Sequence, residues 1–194
     1  MFPEILREAR SLVLDRITNL IHSESKVSES MLYTSTAESK MIRSALLLSA
    51  SKKNTDLSKS SAINLATSIE LLHSYSLIHD DLPSMDNDNI RRGKESNHIK
   101  YGEAIAILSG DALQSLAYEL IANDDDLNDS SKVSAISILT GACGYRGMVL
   151  GQELDITADP KVTDEEYITK MHYLKTGKLM EASLVLGFLN WQGF

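Results

Sequence analysis

The run His73-Ser74-Tyr75-Ser76-Leu77-Ile78-His79-Asp80-Asp81 closes a long apolar stretch with two adjacent carboxylates, and Asp86 adds a third after Leu82-Pro83-Ser84-Met85. Neighbouring ionised carboxylates repel and are costly to desolvate, so the pair is comfortable only if exposed, protonated or neutralised by a cation. A hard divalent ion suits such oxygen ligands. Mg²⁺ is typically held by one or two carboxylates together with substrate phosphates, with water completing the octahedron. That chemistry calls for a phosphorylated ligand, and cations that could bind one are present. Arg91 and Arg92 follow shortly downstream, Lys40 and Arg43 sit three apart on one helical face, and Lys175 adjoins the hydroxyl of Thr176. Arginine in particular offers a planar fork that matches phosphate oxygens in bidentate fashion.

Each feature also has an ordinary structural explanation. Lys and Arg are mostly solvated surface charges, and a histidine such as His73 is commonly a satisfied core residue. Asp86-Asn87-Asp88-Asn89 could be a plain turn, and it is no EF-hand, because Ile90 occupies a ligand position and Arg91 stands where glycine is required. Asp124-Asp125-Asp126 has no basic neighbours in sequence and is expected in a solvated loop. The Asp80-Asp81 pair at the end of an apolar helix has no comparable structural explanation.

The elements that must carry these groups read as helices. Pro3 suits a first helical turn, and Ile5, Leu6, Ala9, Val13, Ile17, Leu20 and Ile21 recur at spacings of three and four. The polar stretch from Ser23 to Ser30 is expected to end that helix. Ser35 with Glu38 has capping-box spacing for a second helix through Ile42, Leu46, Leu47 and Ala50. A third, from about Ser60 to Asp81, is apolar on nearly every face and predicts a central, buried helix. At about 100° per residue, His73, Ser76 and Asp80 share one stripe of it. After a polar loop containing Pro83 and Gly93, helical periodicity resumes at Glu103 and runs to Asn123. A further helix is predicted from Lys132 towards Asp155, with glycines at 141, 144, 147 and 151 suggesting close helix approach. Thr163 with Glu166 repeats the capping-box spacing ahead of a last helix past Leu186.

Composition agrees with an all-α chain of one domain. With 194 residues, 43% hydrophobic and only 6% aromatic, it favours aliphatic helix packing over a β-sandwich. A net charge of −8 argues against nucleic acid or an anionic membrane as the main partner. Cys143 is the one cysteine, which excludes a disulfide framework. The N-terminus lacks a secretory pattern, and no stretch is expected to supply the roughly 18 apolar residues of a membrane span. The expectation is a cytoplasmic protein without an integral membrane segment.

The run Tyr75 to Asp86, followed by Ile90-Arg91-Arg92-Gly93, closely resembles the first aspartate-rich motif of the trans-isoprenyl diphosphate synthases, nearest to the bacterial farnesyl diphosphate synthases. The resemblance continues, in family order, through Tyr101-Gly102-Glu103-Ala104, Ile107 to Leu113, Gly151-Gln152 with Asp155, and Lys175-Thr176-Gly177. It implies an isoprenoid synthase-type helical bundle around a central cavity. It further implies that Asp80 and Asp86, assisted by Asp81, bind Mg²⁺ bridging to an allylic diphosphate. Arg91 would contact that diphosphate, with Lys175 and Thr176 near its leaving group and Gln152 among the substrate-binding residues. Lys40, Arg43, His73 and Arg92 would hold isopentenyl diphosphate. Tyr75 and Ser76 occupy positions that limit product length, and the aromatic favours a fifteen-carbon product over geranylgeranyl diphosphate. A homodimer is expected by the same resemblance.

Two departures qualify the match, and the spacing of the aspartates has its own consequence. The family's Gly-Lys-Arg-x-x-Arg-Pro region reads Ser39-Lys40-Met41-Ile42-Arg43-Ser44 here, without the middle arginine and the proline. Four residues rather than two separate Asp81 from Asp86, an insertion typical of the bacterial farnesyl and plant-type geranylgeranyl synthases that the chain resembles; on an unbroken helix Asp80 and Asp86 would point about 120° apart, so Pro83 must help fold Asp86 back. The family's second aspartate-rich motif is not found before Phe194, so a bundle incomplete at its C-terminus is expected, supplying half the metal cluster. A terpene cyclase or head-to-head condensing enzyme, and an inactive truncated or regulatory subunit, are the competing expectations. The paired basic groups favour two diphosphate sites, which a cyclase does not need.

Overall fold

The computed structural model describes residues 2–159, 161 and 164–191. Along it run α1 (Phe2–Leu20), α2 (Lys26–Ser35), α3 (Ile42–Ser51) and α4 (Lys59–Asp80), then a ribbon of β1 (Ile90–Arg91) and β2 (Lys94–Glu95). There follow α5 (Asn97–Tyr101), α6 (Glu103–Ala122), α7 (Asp129–Cys143), α8 (Met148–Ile156), α9 (Glu165–His172), a π-helical turn Tyr173–Gly177 and α10 (Lys178–Gly187). The fold is all-α apart from that antiparallel ribbon, which pairs Ile90 with Glu95 and Arg91 with Lys94.

The central helix forms as its sequence dictates. Ser58 caps α4 by accepting from the Ser61 amide at 3.0 Å, the preferred role of serine at a helix start. Leu65, Ile69, Leu71 and Leu72 are fully buried although they lie on different faces, as a helix apolar all round requires. It packs along α6 on one side and α3 on another, with α1, α2 and α10 closing the remaining faces. The C-terminal end of α4, where chemistry-bearing residues cluster, is thereby held from several directions.

Four helix boundaries differ from the sequence pattern. The Ser-rich segment is not a simple break: Ser25 and Ser28 form a reciprocal capping box that opens α2, and Ser30 is fully buried. Ser35 does not start a helix but ends one, donating to the Met31 carbonyl at 2.8 Å; α3 begins only at Ile42. The single helix foreseen from Lys132 to Asp155 is two, because the chain turns at 144–147 between α7 and α8. The last helix is likewise divided by the π-helical turn. Thr163, the capping residue foreseen for it, lies outside the described residues; Asp164 caps α9 by accepting from the Tyr167 amide at 2.8 Å.

Asp124 is not in a solvated loop. It is 3% exposed and accepts from Ser61 Oγ at 2.9 Å and Asn64 Nδ2 at 2.8 Å, tying the α6–α7 turn to the start of α4. Two stretches, α6 and 129–156, do reach the length and hydropathy of a membrane span, against expectation. The first presents one face to α4 and α2, and the second is interrupted by the turn at 144–147. At the other end, Leu186 and Leu189 are buried whereas Leu184, Phe188 and Trp191 are exposed; Phe194 lies outside the described residues.

Candidate active site

The acidic corner is built by the way α4 stops. Asp80 is its last residue, and the chain then turns so that the Asp86 amide donates to the Asp80 carbonyl at 2.9 Å. Residues 81–85 thus form a loop that returns Asp86 to the helix end, the fold-back that an unbroken helix could not provide. Asp80 is half-buried and its carboxyl is pushed up to about 6, mainly by burial; Lys175 opposes the shift and Asp86 adds to it. Asp81 is placed differently. It is 2% exposed and receives Arg91 Nε at 2.9 Å together with a terminal guanidinium nitrogen. The same guanidinium reaches Asp88 at 3.3 Å. Asp81 therefore already has its counter-charge, while among the described residues no counter-charge is bonded to Asp80 or Asp86.

Among the described residues no three His, Cys, Asp or Glu side chains converge as a closed metal cage. An open pair of carboxylates fits Mg²⁺ nonetheless, since that ion keeps waters and takes ligand phosphate oxygens to fill its octahedron. Burial raises the Asp80 carboxyl more than Lys175 lowers it, and a cation held there would favour its charged form further.

Opposite this corner stands Lys175, whose ammonium donates to Asp155 at 2.5 Å. It lies in the π-helical turn, a widened turn often found at functional sites. That turn meets α8 at Gly151, where a Cβ would fall 2.2 Å from the Lys175 backbone nitrogen. Of the four glycines between 141 and 151, this is the one that allows close helix approach; Gly144 and Gly147 instead serve the turn between helices. Thr176 is exposed on the same turn.

Between α4 and α8 lies a cavity of about 280 Å³ lined by Tyr75, Ser76, His79, Asp80, Met85, Met148, Val149, Gln152, Glu153 and Ile156. Both Tyr75 and Ser76 thus share a wall with Asp80. Tyr75 is 8% exposed, and burial pushes its hydroxyl up to about 12, a shift that the Gln114 side chain opposes. Gln152 is buried with both amide atoms unpartnered. An unsatisfied buried amide is costly, and both hydrogen-bonding atoms of Gln152 are left with unused capacity at this wall.

On the other side of α4 a second cavity, of about 490 Å³, is lined by Lys40, Arg43, Glu70, His73 and Arg92 with neighbours from 38–42 and Met180. Arg43 is held below the usual arginine range by burial, and its Nε has no partner. His73 is driven down to about 3 by burial first and then by Arg43, Arg92 and Arg91, so it is neutral at physiological pH. Arg92 enters through the ribbon's turn, where Arg92 and Gly93 have φ of 54° and 76°, the double positive φ of a tight hairpin. Left-handed backbone at a non-glycine costs roughly 1–2 kcal/mol, a strain the Arg91–Asp81 bridge beside it helps to hold.

The structure thus gathers Lys40, Arg43, His73 and Arg92 at one cavity and Tyr75, Ser76, Asp80 and Gln152 at the other, with Lys175 close enough to Asp80 to act on its charge. It turns Asp81 and Arg91 towards each other. Glu70 was not singled out from sequence. Buried at 4%, it accepts from Ser44 Oγ at 2.6 Å and moderates the charge of Arg43 and Arg92; a lone glutamate three residues before His73 in an apolar helix was the available signal.

Residues 24–192 match the family model for polyprenyl synthetase. The chain is 41% identical over 187 residues to farnesyl diphosphate synthase of Geobacillus stearothermophilus, covering 94% of this chain and 62% of that protein. A solved FPP/GFPP synthase from Zymomonas mobilis superposes with a TM-score of 0.89 at 32% identity, covering 97% of this chain and 71% of that one. A geranyltransferase from Legionella pneumophila gives 0.88 at 36%, covering 97% and 67%. The chain spans 62% of the length of the first of these relatives. On the matched residues, the identity and the shared fold, the chain belongs to the polyprenyl synthetase family.

Proposed function

We propose that this chain carries the first-motif site of a Mg²⁺-dependent trans-prenyltransferase. The reaction joins dimethylallyl and then geranyl diphosphate to isopentenyl diphosphate, releasing one diphosphate at each condensation, and ends at farnesyl diphosphate. The observation that carries the reading is the pair of cavities sharing α4 as a wall. One combines apolar lining with Asp80, and the other collects Arg43, Arg92, Lys40 and His73 around an unpartnered Arg43 Nε.

In this reading Asp80 and Asp86 hold the metal against the allylic diphosphate. Bound there, Mg²⁺ supplies positive charge to the diphosphate oxygens as the leaving group accumulates negative charge. Lys175 adds a fixed cation to the same oxygens, oriented by Asp155 and with Thr176 beside it. Tyr75, Met148 and Ile156 keep water from the allylic cation, and Gln152 offers its unsatisfied amide to the reacting end. Arg43, Arg92 and Lys40 grip the second diphosphate, while neutral His73 can donate to it without adding charge. The Asp81–Arg91 bridge keeps the ribbon, and with it Arg92, at the rim. Attack by the isopentenyl double bond on the allylic carbon forms the new carbon–carbon bond, and loss of a proton restores the alkene.

The reading includes a homodimer in the cytoplasm. Ile107 and Leu108 are 43% and 52% exposed on α6, an apolar pair suited to a second copy. A Mg²⁺-dependent assay with geranyl and isopentenyl diphosphates tests the function. Farnesyl diphosphate is the expected product, with Asp80→Asn lowering the rate by roughly 10²-fold or more. Full-rate turnover by that variant would contradict the reading, and a twenty-carbon product would reassign it to geranylgeranyl diphosphate synthesis.

A further inference from the structure

We propose that His79 is a positioning residue for chain length: seated over Gly110, it fixes the Tyr75 ring and so sets the reach of the apolar cavity that takes the allylic tail. The inference rests on the prenyltransferase reading of that cavity.

The imidazole is held by α6 rather than by its own helix. His79 Nε2 lies 3.1 Å from the Ile107 carbonyl. A carbonyl only accepts, so Nε2 carries the hydrogen and donates. Asp111 stands 3.9 Å from the same nitrogen and favours that tautomer. The seat exists because residue 110 is glycine: a Cβ there would lie 2.1 Å from Nε2 and 2.5 Å from Cδ2, which no side chain could occupy without moving the ring.

Held this way, His79 meets Tyr75 one turn earlier on α4, edge to face, with ring centroids 5.6 Å apart at 86°. Aromatic pairs favour that arrangement. The Gln114 side chain, also on α6, acts on the Tyr75 hydroxyl, so the ring pair faces α6 with its firm anchor at His79. Both line the cavity that Asp80 lines. Removing the imidazole withdraws the support of the Tyr75 ring and opens the notch above Gly110 to the cavity. Adding a methyl at 110 has the opposite effect, driving the imidazole out of its seat towards the cavity.

The test measures Mg²⁺-dependent binding of non-reactive thiolodiphosphate analogues of geranyl, farnesyl and geranylgeranyl diphosphate to the full 194-residue chain by calorimetry. Wild-type protein is expected to disfavour the twenty-carbon analogue relative to the ten-carbon one. His79→Ala should reduce that ratio by about tenfold and Gly110→Ala should increase it, the scale on which a cavity discriminates excess methylenes. Thermal melts identify loss of fold, which would weaken all three analogues together and leave the ratio unmoved. An unchanged ratio in a folded His79→Ala variant would overturn the role given to His79 alone. Failure of the wild-type chain to bind any of the three would overturn the reading of the cavity, and the inference with it.

Discussion

At the scale of single residues, two half-buried groups on α4 make stability depend on pH in opposite directions. The Asp80 carboxyl rises from its ordinary 3.8 to about 6, so between those values the folded state holds more protons than the unfolded one. Stability from this group therefore falls as pH rises through that window. His73 falls from 6.5 to about 3, so the unfolded state holds more protons there, and its contribution is lost as pH falls below about 6.5. Asp80→Asn removes the first effect and keeps the second. It should raise metal-free stability at pH 7 by about 1 kcal/mol after allowance for solvent screening, with little change at pH 3.5, measured by urea unfolding at both pH values. A lower stability at pH 7 would show that Asp80 carries no unrelieved charge. The carboxylates themselves were legible in the sequence, but their division of labour was not. Arg91 reaches Asp81 because the loop after α4 folds back on the helix end, with the Asp86 amide on the Asp80 carbonyl, before β1 begins. Asp124 was misread because its partners, Ser61 and Asn64, lie 63 and 60 residues away and only tertiary packing reveals them.

At the scale of elements, α4 could be foreseen because an apolar helix of this length has no alternative but burial. The Ser25–Ser28 box was missed because serine serves helix starts and loops alike, and a local string does not distinguish them. The π-helical turn left no periodic signature at all. Its dependence on Gly151 gives a prediction: Gly151→Ala must separate α8 from the Lys175 backbone. Overpacking of that kind costs roughly 1–3 kcal/mol. The expected outcome is a lower melting temperature together with a loss of turnover larger than that of an exposed substitution such as Val133→Ala. A variant with unaltered stability and rate would show that the close approach of these segments is not needed.

For the molecule as a whole, the bundle stands on α4, and Leu72→Ala, fully buried in wild type, should cost about 2–5 kcal/mol in chemical unfolding. The exposed Ile107 and Leu108 lead to a separate expectation: sedimentation should give a dimer that Leu108→Asp shifts towards monomer without unfolding. A wild-type monomer at micromolar concentration would remove the dimer from the account. The central claim is that Asp80 and Asp86 bring a divalent cation to a diphosphate beside an apolar cavity. Titrating geranyl thiolodiphosphate into the chain with and without Mg²⁺, for wild type and Asp80→Asn, tests it most directly. The account predicts tight binding only with Mg²⁺ and a loss of about 100-fold in the variant, on the scale of a fully formed charge contact; binding that ignores the metal, or that survives Asp80→Asn unchanged, would contradict it.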